Sequence, residues 1–238
     1  MRNQRVNLAS SPSSKDLGRG WESSETGATP SFVRRVRELA FFRRPPADFA
    51  AALVGCELRG EGVRVRITEV EAYGDASDGA SHARFGPSPR SAVMFGPPGR
   101  LYVYLCYGIH RMVNIVSGDA GSAAATLIRS VELIGDPALA LARRGQHTRR
   151  LRPSLGAGPG KVGQILDAQL DWTGAILVRG APLSLWAPQD PPRLRRGPRV
   201  GIDFAPAADR RRAWRFADAD SAAVTQPKSL RAVPTRRS

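Results

Sequence analysis

Residues 63-VRVRITEVEAY-73 alternate apolar and polar side chains through Val63, Val65 and Ile67, the two-residue period of a β-strand with one face on a core. Carried on without a bulge, that parity puts Glu69, Glu71 and Tyr73 on the same inward face. Two carboxylates ending an apolar strand face are costly to desolvate, so they are expected to be paired, protonated or used in chemistry. Residues 56–58 and the turn Gly60-Glu61-Gly62 make this strand the second arm of a hairpin. Further on, 101-LYVYLCYG-108 reads as an aromatic strand. Tyr102 and Tyr104 share one face; Leu101, Val103, Leu105 and Tyr107 share the other, and Gly108 makes a turn or bulge that returns the chain through residues 112–117. Between these strands, residues 74–98 lose all periodicity to Gly, Pro, Ser and Asp. A loop of that length carrying His82, Arg84, Arg90, Met94 and Phe95 is expected to be an ordered binding loop.

Elsewhere Pro45-Pro46 opens a helix through residues 48–53, with Gly55 placed to end it. An apolar strand spans 123–131 with Arg129 near its end, and Asp136-Pro137 starts a helix running to Arg144. After a break at 146–160, a helical segment covers 161–170. Short strands are expected at 176–178, 183–186 and 199–202, and an edge strand at 214–216. Strands dominate and helices are interspersed without strict alternation. The expected fold is therefore α+β: one compact domain with a mostly antiparallel, curved sheet, surrounding helices and a protruding aromatic hairpin. Residues 1–33 read as a disordered tail, 34–220 as the domain and 221–238 as a basic flexible tail.

The 238 residues carry a formal net charge of +15, which points to a polyanionic partner. From Arg193 onward, twelve arginines and lysines stand against four aspartates, so much of the excess is C-terminal. Only Lys15, Lys161 and Lys228 are lysines, a bias that suits planar, bidentate phosphate contacts. Cys56 and Cys106 form no disulfide framework, and with His82, His110 and His147 they show no zinc spacing, so no metal is expected. No apolar run reaches the length of a membrane span, and the N-terminal residues lack the apolar segment of a secretory signal. A reduced, intracellular setting is the expectation.

Gly156-Ala157-Gly158-Pro159-Gly160-Lys161 fails the phosphate-loop pattern at both ends, with Leu155 for the first Gly and Val162 for the Ser/Thr. A helix N-terminus there that touches a nucleic-acid phosphate stays open. No serine elbow, paired metal-binding histidines or dinucleotide fingerprint is present. Cys106 and Tyr102 are read as core residues. What remains is carboxylate chemistry: Glu71, followed by Tyr73 and by His82, offers a general base, an aromatic wall and a hydrogen-bonding ring. Tyr107, ending an apolar row at a hairpin tip, has the makings of a wedge between bases, and Tyr104 on the opposite parity could line a pocket.

Taken together, Thr68-Glu69-Val70-Glu71-Ala72-Tyr73, Ser81-His82-Ala83, Pro89-Arg90, Met94-Phe95, Leu101-Tyr102-Val103-Tyr104, Tyr107-Gly108, Asn114 and Gly158-Pro159-Gly160-Lys161 closely resemble the 3-methyladenine (alkyladenine) DNA glycosylase family. The likeness runs from about residue 41 to 216. It implies monofunctional base-excision repair: the damaged purine is flipped from double-stranded DNA, Tyr107 fills the gap, and the N-glycosidic bond is hydrolysed to leave an abasic site. By the same likeness the base lies between Tyr73 and His82 on one side and Tyr104 on the other. Glu71, rather than Glu69, activates the attacking water, with Arg129 holding that water or a phosphate. Asn114 screens out guanine, and Arg90 and Lys161 are candidates for the DNA backbone. The resemblance implies no cofactor, no membrane, a monomer, and a cytoplasmic, nucleoid-associated protein. The competing readings are a non-catalytic damaged-DNA-binding protein and a nucleoside N-glycosyl hydrolase. Ser91, where the pattern leads one to expect asparagine, leaves the bracing of the pocket loop open.

Overall fold

The period-two run at Val63 forms the centre of the observed sheet. The computed structural model describes residues 33–146, 151–179, 182–188 and 190–234. In chain order its elements are β1 (Val33–Arg35), α1 (Pro46–Leu53), β2 (Glu57–Gly60), β3 (Val63–Tyr73), β4 (Leu101–Cys106), β5 (His110–Val116), β6 (Ala125–Leu133), α2 (Ala138–Arg143), α3 (Pro159–Ile165), β7 (Ser184–Pro188), β8 (Leu194–Gly197), α4 (Ala207–Arg211), β9 (Arg215–Asp218) and β10 (Arg231–Ala232). Every strand pair is antiparallel, in the order β1-β7-β2-β3-β6-β5-β4, while β9 pairs with β3 and carries β8 and β10 outward. The α+β reading holds. The sheet is open, with β1 and β4 left at the ends of its main path.

A β-bulge decides what β3 presents. Val63, Val65 and Ile67 lie in the main core, but the register against β6 shifts between Ile67 and Glu69 and shifts back between Glu69 and Val70. One extra residue turns the strand over. From there Val70 and Ala72 take the core face, and Glu69, Glu71 and Tyr73 point to the other side, so the unbroken parity expected from the sequence is corrected. That other side is not solvent, since both glutamates are 0 % exposed. The compensating irregularity on β6 falls at Arg129, which the bulge thus brings beside the two carboxylates.

Phe42 and Phe49 pack with ring centroids 5.7 Å apart under the main core, where α1 lies, with Pro46 in its first turn and Gly55 at φ +88° just past its end. Helix α3 covers the same face of β5 and β6. It comes so close that a Cβ on Gly163 would sit 2.0 Å from the Arg111 carbonyl oxygen, which is why that position carries no side chain. The glycines before it bond to β6 around its bulge: Gly158 N–H donates to Arg129 C=O at 2.9 Å and Val131 N–H to Gly156 C=O at 3.0 Å. The rejected phosphate-loop pattern is thus a packing device.

Several boundaries differ from expectation. Residues 177–179 form a 3-10 turn, 199–202 form a loop, and the strand there lies earlier, at β8. Strand β9 is interior, flanked by β3 and β8, instead of an edge. The C-terminal boundary at 220 is also wrong. Ala223, Val224 and Leu230 are buried, and the last two pack with Ala217 of β9, so folded chain runs on well past Asp220. The segment also holds polar groups: Thr225 N–H donates to Glu69 and Ser221 Oγ to Glu132. The N-terminal tail expected at 1–33 and the residues after 234 fall outside the described residues, apart from Val33 in β1.

Candidate active site

The long loop between β3 and β4 folds over the sheet on a small core of its own, in which Ala83 and Met94 pack with Tyr102, Val116, Ala123 and Ala125. Ser91 is one of its fasteners. Fully buried, its hydroxyl donates to Gly86 C=O at 3.0 Å and accepts from Ser88 N–H at 2.9 Å, so serine itself supplies the bracing there. A second fastener is Asp78, which takes both arms of Arg199 at 2.6 and 2.7 Å as well as the N–H groups of Gly74 and Ala80. Burial pushes this carboxyl up, but the Arg199 bonds and the two amides outweigh it and hold it below its ordinary range. The pair ties the β3–β4 loop to residues 199–202, and breaking one partner of such a buried pair costs about 3–5 kcal/mol.

Between loop and sheet lies a cavity of about 310 Å³, lined among others by Tyr73, His82, Tyr102, Tyr104, Asn114 and Ile202. Its aromatic side is organised by contacts that fix the rings. His82 Nδ1 meets the Tyr102 hydroxyl at 2.8 Å and stands edge-on to Tyr104, centroids 4.7 Å apart. Burial, then Arg90 and Arg84, lower the His82 pKa to about 4, so the ring is neutral near pH 7. A base stacked between two rings needs roughly 7 Å between them, twice an optimal carbon contact. His82 and Tyr104 therefore belong to one wall, which corrects the expected grouping of His82 with Tyr73. Tyr102, read from sequence as plain core, holds His82 in place and lines the cavity. Asn114 is 3 % exposed and donates its amide to the backbone carbonyls of Tyr102 and Met112, at 3.0 and 3.3 Å, which locks its side chain against the floor.

Behind Tyr73 sits the carboxylate. The Tyr73 hydroxyl donates to Glu71 Oε2 at 2.8 Å, Val200 N–H donates to Oε1 at 2.7 Å, and the Arg129 guanidinium lies 3.3 Å from Oε1. Burial, reinforced by Glu71, raises the Tyr73 phenol well above its ordinary value, so it keeps the proton it donates. Arg129 is itself held on three sides: Nε faces Glu69 at 3.3 Å, one terminal nitrogen faces Glu71 and the other donates to Thr225 Oγ1 at 3.1 Å. Burial works against its charge, and Glu71 and Glu69 outweigh that, raising its pKa. Glu69 is a structural hub, accepting from Ser130 Oγ at 2.7 Å, Thr225 N–H at 2.7 Å and the buried Arg215 at 3.0 Å. No group of three or more His, Cys, Asp or Glu suited to a metal occurs among the described residues.

At the rim, the β4–β5 hairpin closes through Ile109 N–H to Cys106 C=O at 3.2 Å. Tyr107 sits at its tip with φ +51° and 88 % of its surface exposed. A bulky residue in the left-handed region costs on the order of 1–2 kcal/mol, so folding stability does not account for tyrosine there. Arg90 lies over the Tyr104 ring, 4.7 Å from its centroid. Lys161 bonds the Ser154 carbonyl at 2.8 Å. The sequence missed Val200 and Thr225, whose contacts with the carboxylates run wholly or partly through backbone N–H groups and leave no motif.

A buried carboxylate thus stands behind one ring of an aromatic-lined cavity, beside a hairpin tipped by an exposed tyrosine. The family model of methylpurine-DNA glycosylase matches residues 40–222. The chain belongs to that family. It is similar to a DNA-3-methyladenine glycosylase of Arabidopsis thaliana, 44 % identical over 205 residues that cover 86 % of this chain and 80 % of the relative. Two further relatives bear the name "Putative 3-methyladenine DNA glycosylase": one from Frankia casuarinae, 42 % identical over 80 % of this chain and 92 % of its own, and one from Nitrosococcus oceani, 42 % identical over 76 % and 89 %. As a methylpurine-DNA glycosylase family member the chain is a monofunctional DNA N-glycosylase, a DNA-repair hydrolase whose substrate is DNA. No helix among the described residues is long and apolar enough to cross a membrane.

Proposed function

We propose that this glycosylase extrudes a damaged purine of the 3-methyladenine type from duplex DNA and hydrolyses its N-glycosidic bond with a water activated by Glu71. One observation carries the reading: Tyr73 both walls the cavity and donates to the fully buried Glu71 at 2.8 Å, so a base seated against that ring puts its sugar next to the carboxylate. The slot runs between Tyr73 and the His82–Tyr104 wall. Tyr107 takes the vacated place in the stack.

Alkylation at N3 or N7 makes the purine cationic and a good leaving group. Aromatic walls attract such a cation, and one general base then suffices for the attack at the anomeric carbon. Arg129, enclosed by Glu69, Glu71 and Thr225, orients Glu71 and balances its charge; with its guanidinium so occupied, phosphate binding falls to groups at the rim, of which Arg90 is the best placed. Asn114, locked by its amide bonds, obstructs the exocyclic amino group of guanine. The protein acts as a monomer in the cytoplasm, on the nucleoid, and needs no metal. The test is excision from duplexes bearing 3-methyladenine, 7-methylguanine, hypoxanthine or ethenoadenine. Release of 3-methyladenine with alkali-labile strands is expected, and absence of release from all four rejects the reading.

A further inference from the structure

Two large aromatic side chains at the edge of the site stand mostly in water. Phe85 is 87 % exposed and Phe204 is 66 % exposed, among the largest apolar exposures of the described residues. They come from different segments, the β3–β4 loop and the loop that also supplies Val200 and Gly201 to the site, yet one side chain joins them. The Arg84 guanidinium lies 4.6 Å from the Phe85 ring centroid and 5.5 Å from that of Phe204, and it is tethered by donating to Ser81 C=O at 3.1 Å. Phe204 also borders the cavity, so the array runs outward from its mouth.

If the rings existed to shield Arg84, they would be covered. Instead they leave flat faces in water around a cation, in a chain of net charge +15. That combination fits a nucleotide: a ring face stacks on a base of any sequence, and the guanidinium meets its phosphate or caps the stack. Neither Phe85 nor Phe204 was singled out by the sequence, and the catalytic proposal uses neither.

We propose that Phe85, Arg84 and Phe204 form a second stacking platform, running outward from the mouth of the lesion pocket, that takes an unpaired base of the damaged strand next to the extruded nucleotide. This rests on the flipping mechanism proposed above. It gives the enzyme a preference for lesions whose neighbour is already unpaired, because a paired neighbour must be opened before it can reach the platform.

The test compares two duplexes carrying the same 3-methyladenine, one with fully paired flanks and one with a mismatched adjacent base, bound to the Glu71→Gln protein so that the lesion stays in place. The mismatched duplex should bind about ten-fold more tightly. Phe85→Ala/Phe204→Ala should bring that ratio to about one. Phe85→Leu should lose most of it while Phe85→Trp keeps it, which separates stacking from mere apolar contact in side chains too exposed to endanger the fold. A 2-aminopurine at the mismatched position should be quenched on binding, and less so in the double variant. An equal ratio in wild-type and double-variant backgrounds, or a rim whose loss changes only self-association in sedimentation, overturns the platform. If Glu71→Gln still releases the base, or wild type never does, it is the glycosylase mechanism that fails instead.

Discussion

Replacing Thr225 by valine removes one hydroxyl some distance from any base, yet it should cripple excision. That hydroxyl lies 2.7 and 2.9 Å from the two Glu69 oxygens and accepts from Arg129 at 3.1 Å, while the backbone N–H bond to Glu69 survives the substitution. Losing a hydrogen bond to a charged group costs about 1.5–3 kcal/mol, and water entering this half-buried site offsets part of the unpaired Arg129 donor. A net loss near 2 kcal/mol lowers Tm by about 4–8 °C in a chain of this size. The larger effect is on rate. Arg129 is the arm that sets Glu71, and a misplaced catalytic group costs up to about a hundred-fold. Single-turnover base release should therefore fall about 10- to 100-fold at a temperature where the variant is fully folded. Affinity for lesion DNA should change less than about three-fold, and Thr225→Ser should restore the rate. Wild-type release by folded Thr225→Val, or failure of serine to restore it, would refute the chain of contacts from the C-terminal segment to Glu71.

Truncation after Asp220 should remove activity and much of the stability, because Val224, Thr225 and Leu230 go with it; thermal melts and excision read both, and a truncated chain of normal stability contradicts the packed C-terminal segment. Tyr107→Asn suits the left-handed tip and should raise stability by about 1 kcal/mol while impairing excision from paired duplexes more than from single strands; equal effects on both would remove the wedge. His82 has a folded pKa of about 4, below the ordinary 6.5, so the unfolded chain binds its proton first as pH falls. Its contribution to stability is therefore complete above about pH 6.5 and is lost progressively between there and about pH 4, and the acid-side loss should be smaller in His82→Gln when melts are followed across that window. DNA affinity should fall steeply with salt, and a flat response would tell against Arg90 and its neighbours as phosphate contacts.

The sequence exposed those parts of the protein whose instructions are local. Alternation at Val63, Val65 and Ile67, the proline and glycine bracketing α1, and the glycine turn of the β4–β5 hairpin each act through the residue's own backbone or its nearest neighbours. The turnover at Thr68 does not: a bulge is set by what the partner strand offers, here the irregularity at Arg129, so the parity of Glu71 could not be counted along β3 alone. For the same reason Tyr102 passed as core. Its hydroxyl matters only because a loop twenty residues upstream places His82 against it. Val200 and Thr225 serve the carboxylates partly through backbone N–H groups that every residue but proline has, and the segment after Asp220 carries its apolar residues singly, without a strand or helix period, because they pack against β9 from an irregular chain.

Glu71→Gln keeps the shape of the side chain and can still accept the Tyr73 or Val200 bond, but it cannot take a proton from water. The decisive measurement is single-turnover release of 3-methyladenine from duplex DNA by this variant, read beside its affinity for the same duplex. The account predicts binding close to wild type and release slowed by about 10²- to 10⁴-fold. Release at the wild-type rate would mean that the buried carboxylate is not the base.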